Sequence, residues 1–365
     1  MKKILLATTT VAAITALALS GCAGGGREEA PEAGGDGGFA ADSLIGVALP
    51  DKTSENWVLA GGLFEDGLKE AGFKYDVQYA GASNAVKDQQ DQISAMVTNG
   101  AKVIIIGAKD GGQLATQVQA AHDSGAVVIA YDRLIVDTEN VDYYVAFDNF
   151  KVGELQGQAL LDGLAAKFPD KKSYNIELFS GSSDDSNAPV FFDGAMKVLQ
   201  PKIDDGTLVV VSGQTDIKQT ATAGWKPENA QSRAETLLQG SYSGKDLDGV
   251  LSPNDTLARA IITAVKSDGR AVPVVTGQDS EVESVKSIMA GEQYSTINKD
   301  TRLLVAQAIE MAQTLQKGEK IATNSDEYNN GVKVVPAFLL DPIIVTKDNA
   351  AEAYKNDPKL SPLTK

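Results

Sequence analysis

From Leu44 onward, short apolar runs rich in β-branched residues alternate with longer stretches of helical periodicity, and few folds accommodate that alternation. The run "LIGVAL" leads into an amphipathic stretch from about Ser54 to Gly72. "DVQYA" precedes "NAVKDQQDQISAMVTNG", where Val86, Ile93, Met96 and Val97 recur at helical spacing before Gly100 ends the element. "KVIIIGA" reads as a buried strand, "GGQLATQVQAAHDSG" as a helix closing at Gly125, and "VVIAYD" as the fourth strand. Strands that alternate with helices imply right-handed βαβ units and a parallel sheet covered on both faces. The pattern restarts at "YNIELFSG", "TLVVVSG", "GVLSPND" and "PVVTGQD", with helices near residues 187–200, 228–240 and 255–268. No Pro-rich linker divides the two series. The fold class is therefore α/β, with two similar lobes, each a parallel sheet flanked by helices. After "GQD" a helix, a strand and a helix come without a new boundary, so the chain has the means to return to the first lobe. The segment "VVPAFLLDPIIVTKDN" is β-like again.

The residues before Leu44 fix the compartment. Lys2 and Lys3 precede the apolar run "ILLATTTVAAITALA" and then "LALSGC", which has the regions of a secretory signal. The run is short and rich in Thr and Ala for a membrane span. "LSGC" resembles a bacterial lipobox, so residues 1–21 read as a lipoprotein signal peptide and Cys22 as the lipid-bearing residue. Cys22 is the single cysteine. An intramolecular disulfide and a Cys-based metal site are thereby excluded. Residues 22–43 carry seven glycines and almost no large apolar side chains, a composition that reads as a flexible tether. The expected location is extracytoplasmic, anchored to a bacterial membrane through lipid. A formal charge of −16 argues against nucleic acid and anionic membrane surfaces as partners.

Ligands of parallel α/β sheets bind outside the carboxyl ends of the strands, so the residues just past each strand are the candidates. Asn56 and Trp57 come after the first, with Lys52 nearby. Asp132 and Arg133 come after the fourth, and Asp148 and Asn149 after "YYVAF". Asp184, Asp185 and Asn187 come after "ELFSG", Asn254 and Asp255 after "VLSP", Asp279 after "VVTGQ", and Lys299 after "YSTIN". A second tryptophan, Trp225, lies in the polar segment "TAGWKPENA". Carboxylates, amides and cations pair with vicinal hydroxyls through strong charge-assisted hydrogen bonds. A flat indole covers the C–H face of a pyranose and excludes water. The set suits a sugar. Asp148 and Asp255 each precede a helix, where capping is the competing role.

The stretches "AYDRLI", "YYVAFDNFKVGELQGQAL", "NIELFSGSSDDSNA", "GWKPENAQSR", "LSPND", "VVTGQDSEVESVKSIMAGEQYSTINKDTR" and "NGVKVVPAFLL" strongly resemble bacterial periplasmic xylose-binding and multiple-sugar-binding proteins. These are the substrate receptors of sugar ABC transporters. The resemblance implies a type I periplasmic binding protein fold with three crossovers between lobes and a monosaccharide gripped at the hinge. It implies a first lobe of residues 44–149 plus 280–328 and a second of 150–279 plus 329–365. The family's sugar contacts match Asp132, Arg133, Asp148, Asn149, Asn187, Asn254 with Asp255 beside it, Asp279 and Lys299, with Trp57 and Trp225 as stacking aromatics. An ABC permease is the implied partner, and a monomer is expected. The chain departs from the family at Asn56, where Arg is frequent, at "GQDS" for "GQDA", and at "DDSNA" for "DNNA".

Other classes fit less well. No G-x-G-x-x-G comes after the first strand, as a dinucleotide-binding enzyme requires. The one histidine, His122, falls in a last helical turn, where the helix dipole favours a surface residue. No D-x-[DN]-x-[DN]-G calcium loop occurs, and neither a structural metal nor a cofactor is expected. A repressor with the same core needs a basic helix-turn-helix head where this chain has a signal segment and an acidic tether. A receptor that hands its bound state to a chemosensory or signalling partner would share the same site.

Overall fold

A computed structural model describes residues 38–52 and 54–365. The signal segment, Cys22 and most of the expected tether lie outside them. The first lobe is laid down as β1 (Leu44–Leu49), α1 (Glu55–Glu70), β2 (Lys74–Tyr79), α2 (Ala85–Thr98), β3 (Val103–Ile106), α3 (Ala115–Asp123), β4 (Val127–Tyr131) and β5 (Tyr143–Phe147). The chain then crosses to a second lobe. Its elements are α4 (Asn149–Lys167), β6 (Tyr174–Leu178), α5 (Asn187–Asp204), β7 (Leu208–Val210), α6 (Ile217–Thr220), α7 (Pro227–Gln239), β8 (Gly249–Leu251), α8 (Asp255–Ser267), β9 (Val274–Val275), α9 (Val282–Ala290) and β10 (Ser295–Asn298). It returns for α10 (Thr301–Gln316) and β11 (Ala337–Leu340), and crosses again for β12 (Ile343–Thr346) and α11 (Ala350–Ala353).

The first sheet has the order β11-β5-β4-β3-β1-β2 and is parallel throughout. Both faces are covered, so its central strands are apolar without alternation: all four residues of β3 are buried. One face packs Ile45, Val47, Val103 and Ile105 against Phe64 and Leu68 of α1 and Leu304, Val305 and Ala308 of α10. The other packs Ile104, Ile106 and Val128 against Ile93 and Met96 of α2 and Val118 of α3. Of the helical spacing legible in α2, Ile93 and Met96 face the core with Val97 packed against it, while Val86 stays partly exposed.

The second sheet runs β7-β6-β8-β9, also parallel. Backbone bonds from Tyr294 to Val275, from Ile297 to Gly277 and from Asp279 to Ile297 carry it on to β10. β10 pairs with β12 in antiparallel register. Leu160 and Leu164 of α4 and Leu199 of α5 cover one face. Leu257, Ile261 and Val265 of α8 and Leu237 and Leu238 of α7 cover the other.

The lobe boundaries differ from those expected. Residues 280–298 stay with the second lobe, because β10 is hydrogen-bonded to that sheet and α9 packs beside it through Val285 and Val345. Residues 301–340 belong to the first, since α10 fills its core and β11 pairs with β5. The crossings fall at Asp148, at Lys299–Asp300 and at Asp341–Pro342. "AFLL" and "IIVT" look like one β segment in sequence. Pro342 has no N–H to continue a ladder, and the chain changes sheets there. The tether also ends earlier than residue 43. Phe39 packs on Phe73 with ring centroids 6.3 Å apart, and its amide bonds the Gln316 carbonyl at 3.1 Å. Among the described residues no helix is long and apolar enough to cross a membrane.

Candidate functional site

The carboxyl ends of both sheets open onto one shared cavity of about 680 Å³ between the lobes. That is within the range of small-molecule sites. Strand-end loops of each lobe build one wall, as the topology of open α/β sheets dictates.

In the first wall β4 stops at Tyr131, and Asp132 takes a left-handed conformation, φ 62°. A non-glycine residue in that region carries strain that its surroundings must hold. They do so through the Asp132 carbonyl, which accepts from the Tyr144 hydroxyl at 2.7 Å and from Asn187 Nδ2 of the second lobe at 2.8 Å. The reversal turns Arg133 into the cavity. Its Nε reaches Asp185 Oδ2 across the cleft at 3.1 Å, and its guanidinium lies 5.5 Å from the Trp57 ring. Trp57 sits in the first turn of α1, edge-on to Tyr131 at 6.2 Å. Lys109, after β3, pairs with Asp51, after β1, at 2.9 Å.

The second wall repeats the device. Asp279 and Ser280, after β9, have φ 98° and 53°. Lys299 Nζ meets Asp279 Oδ1 at 3.0 Å and lies 5.3 Å from the Phe191 ring. Trp225 is left-handed too, φ 56°, and its indole nitrogen donates to Asp185 Oδ2 at 3.1 Å. The indole lies against Gly181, where an added Cβ would stand 2.2 Å from the ring. Glycine is required there for the indole to occupy its seat. Asp185 thus joins Arg133 and Trp225. Asn254 lines the cavity while its Oδ1 caps α8 through the Leu257 amide.

Three of the five non-glycine residues with positive φ among the described residues, namely Asp132, Trp225 and Asp279, line this cavity. Strain concentrated at one place marks a site whose geometry is over-determined. Electrostatics agree. Burial pushes the Asp132 carboxyl above its ordinary value, against the pull of Lys299 and Arg133, while Asp185 and Asp279 push the same way as burial. Burial alone would lower Lys299, but Asp279, Asp132 and Asp185 outweigh it and hold the ammonium above its ordinary value. Arg133 and Lys299 are each matched to a carboxylate, so the inner cavity presents balanced donors and acceptors. Such a surface suits an uncharged ligand with several hydroxyls.

Of the candidates read from sequence, Asn56, Trp57, Asp132, Arg133, Asp184, Asp185, Asn187, Trp225, Asn254, Asp279 and Lys299 line the cavity. Three do not. Asp148 is the N-cap of α4, accepting from the Lys151 amide at 2.9 Å. Asn149 is buried at the hinge, donating to the Tyr144 hydroxyl at 3.1 Å. Asp255 lies beneath the Asp279 turn with no exposed surface. A residue just past a strand can face the cleft or turn back under the sheet, and sequence does not separate the two. Lys52 also stays outside, its ammonium 4.5 Å from the Tyr79 ring. His122 is exposed at the end of α3. Asp51, Lys109, Phe191 and Gln278 line the cavity without having been singled out. Lys109 and Gln278 had the same strand-end signal as the rest. Among the described residues no cluster of His, Cys, Asp and Glu could hold a metal.

Residues 45–320 match the model of the periplasmic binding protein domain family. The multiple sugar-binding periplasmic receptor ChvE of Rhizobium radiobacter is 48% identical over 85% of this chain and 89% of its own length. The D-xylose-binding periplasmic protein of Escherichia coli is 36% identical over 86% of this chain and 89% of its own length. A solute binding protein of an ABC transporter from Clostridium phytofermentans, solved with β-D-glucose, superposes with a TM-score of 0.83 at 37% identity. That match covers 88% of this chain and all of the other. With two parallel sheets facing one cleft and these likenesses along most of its length, the chain belongs to the periplasmic binding proteins of type I, which bind ligands and do not convert them.

Proposed function

We propose that this protein captures a neutral monosaccharide, an aldose of the xylose, glucose or galactose kind, and delivers it to the permease of an ABC transporter. The observation that carries the reading is the pairing of two indoles, Trp57 and Trp225, with the Arg133–Asp185 and Lys299–Asp279 pairs around one cavity. The indoles would cover the apolar faces of the ring. Asp132, Asp185 and Asp279 would accept from hydroxyls, and Arg133, Lys299, Asn187 and Asn254 would donate to them. Cations and carboxylates that already neutralise one another remain tolerable when closure removes water. Sugar touching both walls favours the closed arrangement, since a ligand shifts an equilibrium by its differential affinity for the two states. The closed form is then the one the permease recognises. Relatives named as sugar-binding, and the glucose-bound structures of two related solute binding proteins, support the ligand class. The lipobox-like "LSGC" supports an extracytoplasmic protein held at the membrane through Cys22.

A thermal-shift titration of the purified protein against xylose, glucose, galactose, arabinose, ribose and fucose tests this. Ligand at about a thousand times its dissociation constant adds roughly 4 kcal/mol to the bound state. An upward shift of several degrees with one or two pyranoses is the expected result. A folded protein indifferent to every sugar overturns the reading.

A further inference from the structure

Asp279 is held out into the cleft by two consecutive left-handed residues, itself and Ser280, neither of them glycine. The next two amides, those of Ser280 and Glu281, both find their acceptors beneath the turn. The Glu281 amide donates to Asp255 Oδ2 at 3.0 Å. The Ser280 amide donates to Thr296 Oγ1 at 3.2 Å. That hydroxyl, with its lone pair engaged from above, donates its own proton down to Asp255 Oδ2 at 3.0 Å. One carboxylate oxygen thus secures both amides, one directly and one through Thr296. The other, Oδ1, accepts from Gln293 Nε2 at 2.8 Å. Asp255 is itself anchored, its amide donating to the Gln278 carbonyl at 3.0 Å. The close approach depends on Gly277, where an added Cβ would lie 2.1 Å from Asp255 Oδ1. Asp255, Thr296 and Ser284 are fully buried, and Glu281 nearly so.

We propose that Asp255 is the positioning residue of the ligand site: acting with Thr296 from beneath, it fixes the left-handed turn that aims Asp279 at the ligand. The inference rests on the sugar-binding reading of the cleft and deepens it, since Asp255 touches no ligand. The strained turn persists because both amides leave it only by becoming unsatisfied in a buried place, which is costly. A helix-capping role for Asp255 alone would tie it to α8. Its contacts go instead to the turn, to β10 and to Gln293.

The test is a double-mutant cycle in the full-length protein. Thr296→Val removes the hydroxyl relay while keeping the shape, and Asp255→Ala removes the acceptor. Asp255→Asn is the conservative variant, because its carbonyl oxygen can still serve both amides and its NH2 can turn to the unpartnered Gln293 Oε1. Each is made in the wild type and in Asp279→Asn. Sugar affinity is measured by calorimetry, and exchange of the Ser280 and Glu281 amides by NMR. The expected result is about a tenfold loss of affinity in Thr296→Val and more in Asp255→Ala, with Asp255→Asn close to wild type. Those losses should largely vanish in the Asp279→Asn background, where there is no longer a carboxylate to aim. The Ser280 amide should exchange faster in Thr296→Val, and both amides in Asp255→Ala. Losses that simply add to that of Asp279→Asn overturn the proposal, as does unchanged affinity with freely exchanging amides. If Asp255→Ala fails to fold, Thr296→Val carries the cycle. If Asp279→Asn leaves no measurable affinity, Thr296→Val decides by itself: faster exchange at Ser280 with weakened binding supports the proposal, and either one without the other overturns it. A wild type that binds no sugar removes the proposed function, and the positioning role for a ligand site falls with it; slow exchange at both amides would show that the turn is nonetheless locked.

Discussion

Asp132 and Asp279 occupy equivalent places in the two lobes, each a left-handed residue just past a strand end, yet they are held by different means. Asp279 is braced inside its own lobe, through Asp255, Thr296 and the bond from its amide to Ile297. Asp132 is braced inside its own lobe by the bond from its amide to the Val145 carbonyl and by the Tyr144 hydroxyl, and also across the cleft, because Asn187 of the second lobe supplies the other of the two donors to its carbonyl. The second lobe therefore presents a finished half-site. The first draws one of its braces from the opposite wall. That asymmetry ties the Asp132 turn, unlike the Asp279 turn, to the position of the opposite lobe.

The comparison is sharpest at Asp279. Asp279→Ala should lower sugar affinity about a hundredfold, since it removes an acceptor and leaves the buried Lys299 ammonium without its partner, at a cost of roughly 3 kcal/mol. Calorimetry measures it, and a loss below about threefold would break the claim that this wall carries the ligand. Asn187→Ala should cost less, about tenfold. Its distinctive effect is on closure: small-angle scattering should show a smaller compaction on adding sugar than in the wild type. Equal compaction would mean that the Asp132 turn does not depend on the opposite lobe.

Acid should move stability and affinity in opposite directions. Burial raises Asp132, Asp255 and Glu281 above their ordinary values in the folded protein. A raised value favours the folded state while the proton is on. That contribution is complete below the ordinary carboxylate range and lost as pH rises through the raised values. Ligand-free protein should accordingly gain thermal stability as pH falls from neutrality toward the ordinary carboxylate range, read as a rising melting temperature. Over the same interval sugar affinity should fall, because protonated Asp132 accepts less well. Parallel changes would show that Asp132 is not the group that titrates in the site. The smallest effect belongs to Asp148. Asp148→Ala removes a helix cap worth about 1 kcal/mol of stability and should leave sugar affinity unchanged. A loss of affinity there would return Asp148 to the ligand site.

The alternation of apolar runs and helical stretches determined the parallel sheets, because a buried strand and an amphipathic helix announce themselves locally. β1 and β3 fall where the runs lie, and Ile93 and Met96 face the core as their spacing requires. Strand ends also disclosed most of the site, since topology forces those loops into the cleft. Trp57, Arg133 and Lys299 were legible for that reason, and Trp225 because an indole stood in a polar segment. A place just past a strand does not reveal which way the side chain turns. Asn254 faces the cavity, whereas its neighbour Asp255 is swallowed beneath it. Partners far apart in sequence were equally hidden: Arg133 with Asp185, Asn187 with the Asp132 carbonyl, and β11 with β5. Local patterning determined the elements and the composition of the site. Tertiary packing alone decided the lobe crossings, which acids line the cavity, and which hold those acids in place, because such contacts depend on distances that the chain sets only when both lobes are folded.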